Sequence, residues 1–237
     1  MLVAPLKKVK SVEDKSNRLN LLAPVWNNFN FRMLFIGKTG GGKTTAALSL
    51  IFEKHIDFDG IFVYSRFVDK DPSYIALRSF IEEREKKLGE TISLWSDSLD
   101  DKPFDLKEFN KENRYLFIFD DMITASPKSK KLINDLFIAG RHSNCSVMCM
   151  MQDYVGLEPV ARKQVTHVAI FEYPAADSLK TIHGDFASSF IDIKKFLEAY
   201  NRCLAIKFGF LYIDTTADNV YEKLRFRYDG LYSPIDF

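Results

Sequence analysis

The string Gly37-Lys38-Thr39-Gly40-Gly41-Gly42-Lys43-Thr44 constrains the fold more than any other feature of the chain. It fits the spacing G-x-x-x-x-G-K-[ST] of a phosphate-binding loop. An apolar run at 31–37 precedes it and reads as a buried strand; KTTAALSLIF follows it and reads as a helix with a broad apolar face. Each part has a physical task. The glycines let the backbone curl until successive N–H groups point inward at phosphate oxygens. The helix start adds the positive end of its dipole. Lys43 is expected at the β- and γ-phosphates, and the Thr44 hydroxyl at a Mg²⁺ ion. Thr45 completes the expected nucleotide-binding set, and ATP with Mg²⁺ is the implied ligand pair.

The rest of the chain reads as strands alternating with helices. Residues 60–66, 91–95, 114–121, 145–152 and 165–173 read as strands, most of them apolar on both faces. Residues 73–88, 129–140 and 188–200 read as helices, with Gly140 placed just past the end of the second. Residues 202–214 read as a β-hairpin around Gly209. The expected fold class is α/β: a P-loop NTPase with a mostly parallel sheet, helices on both faces and a C-terminal β-hairpin. Ligands of such sheets bind at the carboxyl ends of the strands. The expected division is an N-terminal extension over 1–30, an ATPase domain over 31–217, and a tail over 218–237 packed on it.

Composition sets limits on function. The chain has 237 residues, 46% hydrophobic and 27% charged, which excludes disorder over most of its length. Its net charge is +1, so a polycation that coats nucleic acid by bulk charge is excluded. Any grip on nucleic acid must come from a local basic patch or from many copies in a ring. Lys7, Lys8 and Lys10 fit either a solvated arm or a DNA-contacting one. The three cysteines, Cys145, Cys149 and Cys203, show no CxxC spacing, which argues against a disulfide framework or a zinc site. No signal-like segment and no membrane span is expected.

Asp120 and Asp121 end the apolar strand, in the arrangement of a Walker B motif. Asp120 is expected to hold Mg²⁺ and Asp121 to polarise the attacking water. Gln152, at the tip of the next strand, fits a γ-phosphate sensor or a holder of the water; it also fits a plain polar residue where a strand leaves the core. Arg141, beside His142, fits an arginine that reaches a neighbouring subunit's nucleotide; it also fits compensation of a helix dipole. A strand of about eight residues puts this turn roughly 25 Å from the catalytic edge of its own subunit, so the expected reach is in trans. Arg162 is the second choice for that role. Lys128, Lys130 and Lys131 fit a ring's pore or a solvated helix face.

The segments NFRMLFIGKTGGGKTTAALSLIF, YLFIFDDM, LFIAGRHSNCSVMCMMQ, VARKQVTHV and NRCLAI, in this order, resemble the poxvirus-type genome-packaging ATPases of the FtsK–HerA superfamily. The resemblance covers roughly residues 30–215. It implies an ATP-driven motor that pumps double-stranded DNA into a preformed capsid as a pentameric or hexameric homo-oligomeric ring at a capsid or portal vertex. It further implies Lys43, Thr44, Asp120 and Asp121 at the nucleotide, Gln152 as sensor, Arg141 at the family's Arg-His pair, and work in the cytoplasm of an infected host cell or in association with the virion. Asp-Asp departs from the Asp-Glu of other branches and leaves open which acid activates water. No nuclease domain is expected after the tail, unlike the terminase-type motors.

Three other readings compete. One is another FtsK–HerA-type DNA motor, which usually carries membrane spans or DNA-reading domains. One is a P-loop small-molecule kinase or GTPase. Asn110-Lys111-Glu112-Asn113 misses the guanine-reading Asn-Lys-x-Asp at its last residue and precedes the Walker B strand, and the arginines of a kinase lid are sparse. The last is a capsid-associated protein with a decayed P-loop, against which the intact Lys43, Thr44, Asp120 and Asp121 argue.

Overall fold

A computed structural model describes residues 30–231, apart from 54, 122–125, 153, 174–175 and 229. The expected N-terminal extension therefore lies almost wholly outside the described residues. Among the described residues, nine strands form one sheet in the order β3-β2-β4-β5-β1-β6-β7-β8-β9. They are β1 (Arg32–Ile36), β2 (Gly60–Ser65), β3 (Ser93–Ser96), β4 (Tyr115–Asp120), β5 (Cys145–Met151), β6 (His167–Ile170), β7 (Leu211–Asp214), β8 (Leu224–Phe226) and β9 (Gly230–Leu231). β1 to β6 run parallel. β7, β8 and β9 add an antiparallel wing beyond β6.

Both faces of the sheet are buried, which is why its central strands read as unbroken apolar runs. Side chains alternate between two cores. Met33 and Phe35 of β1 join Leu116, Ile118, Met148 and Met150 on one face. Helices α1 (Lys43–Phe52) and α2 (Pro72–Leu88) cover it with Ala47, Leu48, Leu50 and Ile51, and with Tyr74, Leu77 and Ile81. Leu34 and Ile36 join Phe117, Phe119, Val147 and Cys149 on the other. There α3 (Pro127–Ala139), α5 (Ala176–Phe186) and α6 (Ile193–Leu204) close the core, and the short α4 (Pro159–Arg162) lies between α3 and α5 in the chain.

Helix starts follow local chemistry. Asp71 accepts from the Ser73 amide at 2.7 Å ahead of Pro72 at the first turn of α2. Asp192 accepts from Lys194 and Lys195 at the head of α6. Among the described residues, no helix is long and apolar enough to cross a membrane.

Two local readings need correction. Arg202–Leu204 is not the arm of a hairpin but the end of α6. The buried stripe Phe196, Ala199, Tyr200, Cys203 has helical spacing, and it outweighs the β-like look of the residues that follow. The antiparallel hairpin exists, but β7 and β8 form it. Gly209 is a crossing point: a Cβ there would fall 1.9 Å from the Cys203 carbonyl oxygen, so only glycine lets the chain pass the end of α6. Gly140 lies just past the end of α3, as expected. At φ −56° it opens a 3₁₀ turn, Gly140–Ser143, and Asn144 at φ 50° takes the left-handed position.

Candidate functional site

The phosphate-binding loop joins the end of β1 to the start of α1, at the carboxyl edge of the parallel strands. β5 and β6 flank β1, so the loop is anchored on both sides. The Gly37 amide donates to the Met151 carbonyl, and the Lys38 amide to that of Glu172 at 2.9 Å. Lys38 also pairs with the Glu172 carboxylate at 2.6 Å, on the exposed rim. Gly42, at φ 95°, occupies the left-handed region immediately before α1, where a side chain would be strained.

Lys43 is buried, and its ammonium donates to the carbonyls of Gly37 and Lys38 at 2.8 and 2.9 Å. An ammonium has three donors, so one remains after these two bonds. Burial lowers the pKa of Lys43, while the nearby Asp120 and Asp121 carboxylates raise it. The two bonds hold the cation against the loop instead of letting it reach into solvent.

Asp120 is the last residue of β4. One of its oxygens, Oδ2, accepts from the Tyr74 hydroxyl at 2.7 Å and from the Thr44 hydroxyl at 3.3 Å. Burial raises its pKa; the bond from Tyr74 acts the other way. Asp121 sits at φ 56°, a conformation Asp tolerates better than most residues. Its amide donates to the Met150 carbonyl at 3.1 Å, and its Oδ2 accepts from the Gln152 amide at 2.6 Å. The adjacency of β4 and β5 thus brings two carboxylates and a glutamine to one edge, next to the loop.

Thr39, Lys43, Thr44, Asp120, Asp121 and Gln152 line a single cavity of about 400 Å³, together with Gly40, Gly42 and Thr45. Gly37, Lys38 and Gly41 form the loop behind it. The residues suit Mg²⁺: a hard cation seeks oxygen donors, and here a hydroxyl and a buried carboxylate lie side by side. The desolvated Asp120 carboxylate would also gain the counter-charge that its hydroxyl partners do not supply.

Arg141 lies elsewhere. It is exposed on the 3₁₀ turn that leads into β5, while Gln152 follows the other end of that strand. Arg32, at the start of β1, has its pKa lowered by burial and then by the charge of Arg141, which puts both at the amino edge of the sheet. Arg162 is turned inward: its guanidinium lies 3.4 Å from Asp185 and 5.0 Å from the centre of the Tyr154 ring. Lys128, Lys130 and Lys131 are exposed on α3.

Sequence reasoning missed Tyr74, Phe67 and Phe208 in this region. A signal existed for Tyr74. It shares the apolar face of α2 with Leu77 and Ile81, and a tyrosine buried there needs a partner for its hydroxyl. Nothing in the sequence marks the two phenylalanines, which line the cavity yet remain 55% exposed.

A model described as "Poxvirus A32 protein" matches residues 23–183. The chain belongs to that family. The DNA packaging protein OPG160 of vaccinia virus is 28% identical over 172 residues, covering 70% of this chain and 60% of that protein. The protein of the same name from variola virus is 29% identical over 154 residues, covering 62% of this chain and 55% of its own. The chain thus spans little more than half the length of these relatives. Solved structures of the genome packaging NTPase B204 from Sulfolobus turreted icosahedral virus 2 share the fold. The complex with sulfate has a TM-score of 0.55 at 14% identity, covering 84% of this chain and 96% of that one. The complex with AMP gives 0.54 at 13%, covering 84% and 98%. VirB4 of Thermoanaerobacter pseudethanolicus reaches 0.50 at 10%, covering 86% and 90%. These likenesses show that the α/β fold is shared.

Proposed function

We propose that this protein is an ATP-driven motor that moves double-stranded DNA into a preformed viral capsid. The observation that carries this reading is the convergence of Lys43, Thr44, Asp120, Asp121 and Gln152 on one cavity, in a chain of the Poxvirus A32 family. The relatives named DNA packaging proteins support the choice of cargo. The motor works as a homo-oligomeric ring at a capsid or portal vertex, in the cytoplasm of an infected host cell.

The loop amides and Lys43 hold the phosphates and meet the charge that develops during transfer. Thr44 and Asp120 hold Mg²⁺, which when bound neutralises phosphate charge. Asp121 orients the attacking water and draws on its proton, and the amide of Gln152 fixes that carboxylate in place. Arg141, at the amino edge of the sheet, serves the nucleotide of the neighbouring subunit. Lys128, Lys130 and Lys131 recur around the ring and grip the phosphate backbone without regard to sequence.

Hydrolysis measured with and without long double-stranded DNA tests the proposal. DNA should stimulate turnover, the stimulation should fall steeply with salt, and Lys43→Ala should abolish it. Turnover indifferent to DNA at every salt concentration would overturn the motor reading in favour of a small-molecule enzyme.

A further inference from the structure

A second cavity, of about 470 Å³, lies beside the phosphate cavity, within the size range of small-molecule sites. Gly42, Thr45 and Phe208 border both cavities. The second cavity is otherwise built from Ala46 and Ser49 of α1, Phe210 ahead of β7, and Arg227 and Tyr228 after β8. The sheet order fixes its direction. Asp120 and Gln152 end the strands on the β4–β5 side of β1; Phe208, Phe210 and Arg227 come from the β7–β8 side. A triphosphate lying along the loop with its terminal phosphate toward Asp120 and Gln152 therefore points its other end into the second cavity.

The walls are mainly apolar, and their polar groups are largely engaged. The Tyr228 hydroxyl donates to the Ala46 carbonyl at 2.8 Å, and the Ser49 hydroxyl to the same oxygen at 2.9 Å. Arg227 donates through one terminal nitrogen to the Lys207 carbonyl at 3.2 Å. Glu53, at the rim, meets His55 at 2.9 Å. Among the described residues, Arg227 Nε is buried without a hydrogen-bond partner. Phe208 is held at φ 59°, a conformation that is unfavourable for a bulky residue. Its ring lies so close to Gly42 that a Cβ there would come within 3.3 Å of it. More than half of Phe208 nevertheless stays exposed.

We propose that this cavity receives the nucleoside of the substrate, with the base stacked on Phe208 and selected by shape rather than by hydrogen bonds that tell adenine from guanine. The inference rests on the nucleotide-binding role proposed for the loop. Stacking accepts any base because every base has a π-face. Pockets without a dedicated hydrogen-bond reader discriminate similar ligands by roughly 10- to 200-fold, against roughly 10⁴–10⁵ for pockets with one.

The test is calorimetric binding of ADP, GDP and inorganic tripolyphosphate to the full chain and its variants. Phe208→Ala removes the stacking face. Ser49→Phe fills the cavity from a residue that does not border the phosphate site. Each should weaken ADP and GDP together, Phe208→Ala by about 5- to 150-fold, and Ser49→Phe should leave tripolyphosphate unchanged; Phe208→Trp should retain nucleotide binding. ADP and GDP should differ by less than about 100-fold. If Ser49→Phe and Phe208→Ala both bind ADP as the parent chain does, the nucleoside lies elsewhere and the inference fails. Preference for one purine by roughly 10⁴-fold overturns selection by shape. Wild-type protein that binds neither tripolyphosphate nor nucleotide overturns the role of the loop itself, and the inference with it.

Discussion

Replacing Tyr74 with Phe removes one oxygen atom and leaves the ring packed where it is. The side chain is fully buried on the face of α2 that meets the sheet, so no cavity large enough to matter opens. What is lost is the 2.7 Å bond to Asp120 Oδ2. The 3.3 Å bond from Thr44 is the weaker partner of the same oxygen. A hydrogen bond to a charged group contributes about 1.5–3 kcal/mol, which corresponds to roughly 10- to 150-fold in an equilibrium constant. Groups that orient a metal-binding side chain typically alter metal affinity by about 10- to 100-fold, so the two estimates agree. The sign with pH also follows. Burial already raises the Asp120 pKa and the Tyr74 bond opposes that rise, so the variant's Asp120 should titrate higher still. The half-saturating Mg²⁺ concentration for hydrolysis, at saturating nucleotide, should rise by about 10- to 100-fold, with the larger deficit at the acidic end of the range. Binding of nucleotide without Mg²⁺ should not change. A folded Tyr74→Phe protein with the parent's Mg²⁺ requirement at every pH would refute the argument.

Asp120→Asn should abolish Mg²⁺-dependent turnover yet stabilise the free protein at neutral pH, since a carboxylate with a raised pKa costs stability once it ionises; thermal melts should show the gain vanish as pH falls below the carboxylate range. Burial holds His167 well below its usual pKa, partly countered by Asp214. Its contribution to stability is therefore complete above about pH 6.5 and is lost as pH falls below that; His167→Gln should flatten this acid limb in pH-dependent melts. Arg141→Ala and Lys43→Ala subunits, each inactive alone, should regain part of their hydrolysis when mixed, because an intact loop then meets an intact Arg141; confirmed mixed rings without any recovery would place Arg141 in cis or in a structural role.

The parts legible in the sequence are those where one cause dominates. β1 and β4 read as strands because both their faces are buried, leaving no polar alternation to blur the run. The loop reads from glycine and lysine spacing alone, and the Asp120–Asp121 pair from its position at a strand end. Where two causes compete, the reading fails. Residues 202–204 look extended locally, yet the apolar stripe of α6 claims them. Helix α5 gives no clear sequence signal, because polar residues interrupt the helical spacing of Leu179, Ile182 and Phe186. Tyr74 and Phe208 reach the site through long-range packing, from a helix two strands away and from a crossing past α6, and no local pattern encodes either.

The strand that carries the loop occupies the middle of the sheet, hydrogen-bonded to β5 on one side and β6 on the other. Both neighbours lie far downstream, ending at Met151 and Ile170. During synthesis Arg32–Ile36 therefore emerges as a strand with two open edges and no partner for either. At about 5–20 residues per second, the wait for both neighbours lasts on the order of ten seconds. Over that interval Met33, Leu34, Phe35 and Ile36 form a short apolar segment of the kind that pairs with other chains. The strand beneath the loop is thus made early in the described fold and sheltered late, which leaves its apolar segment open to other chains while both partners are still being made.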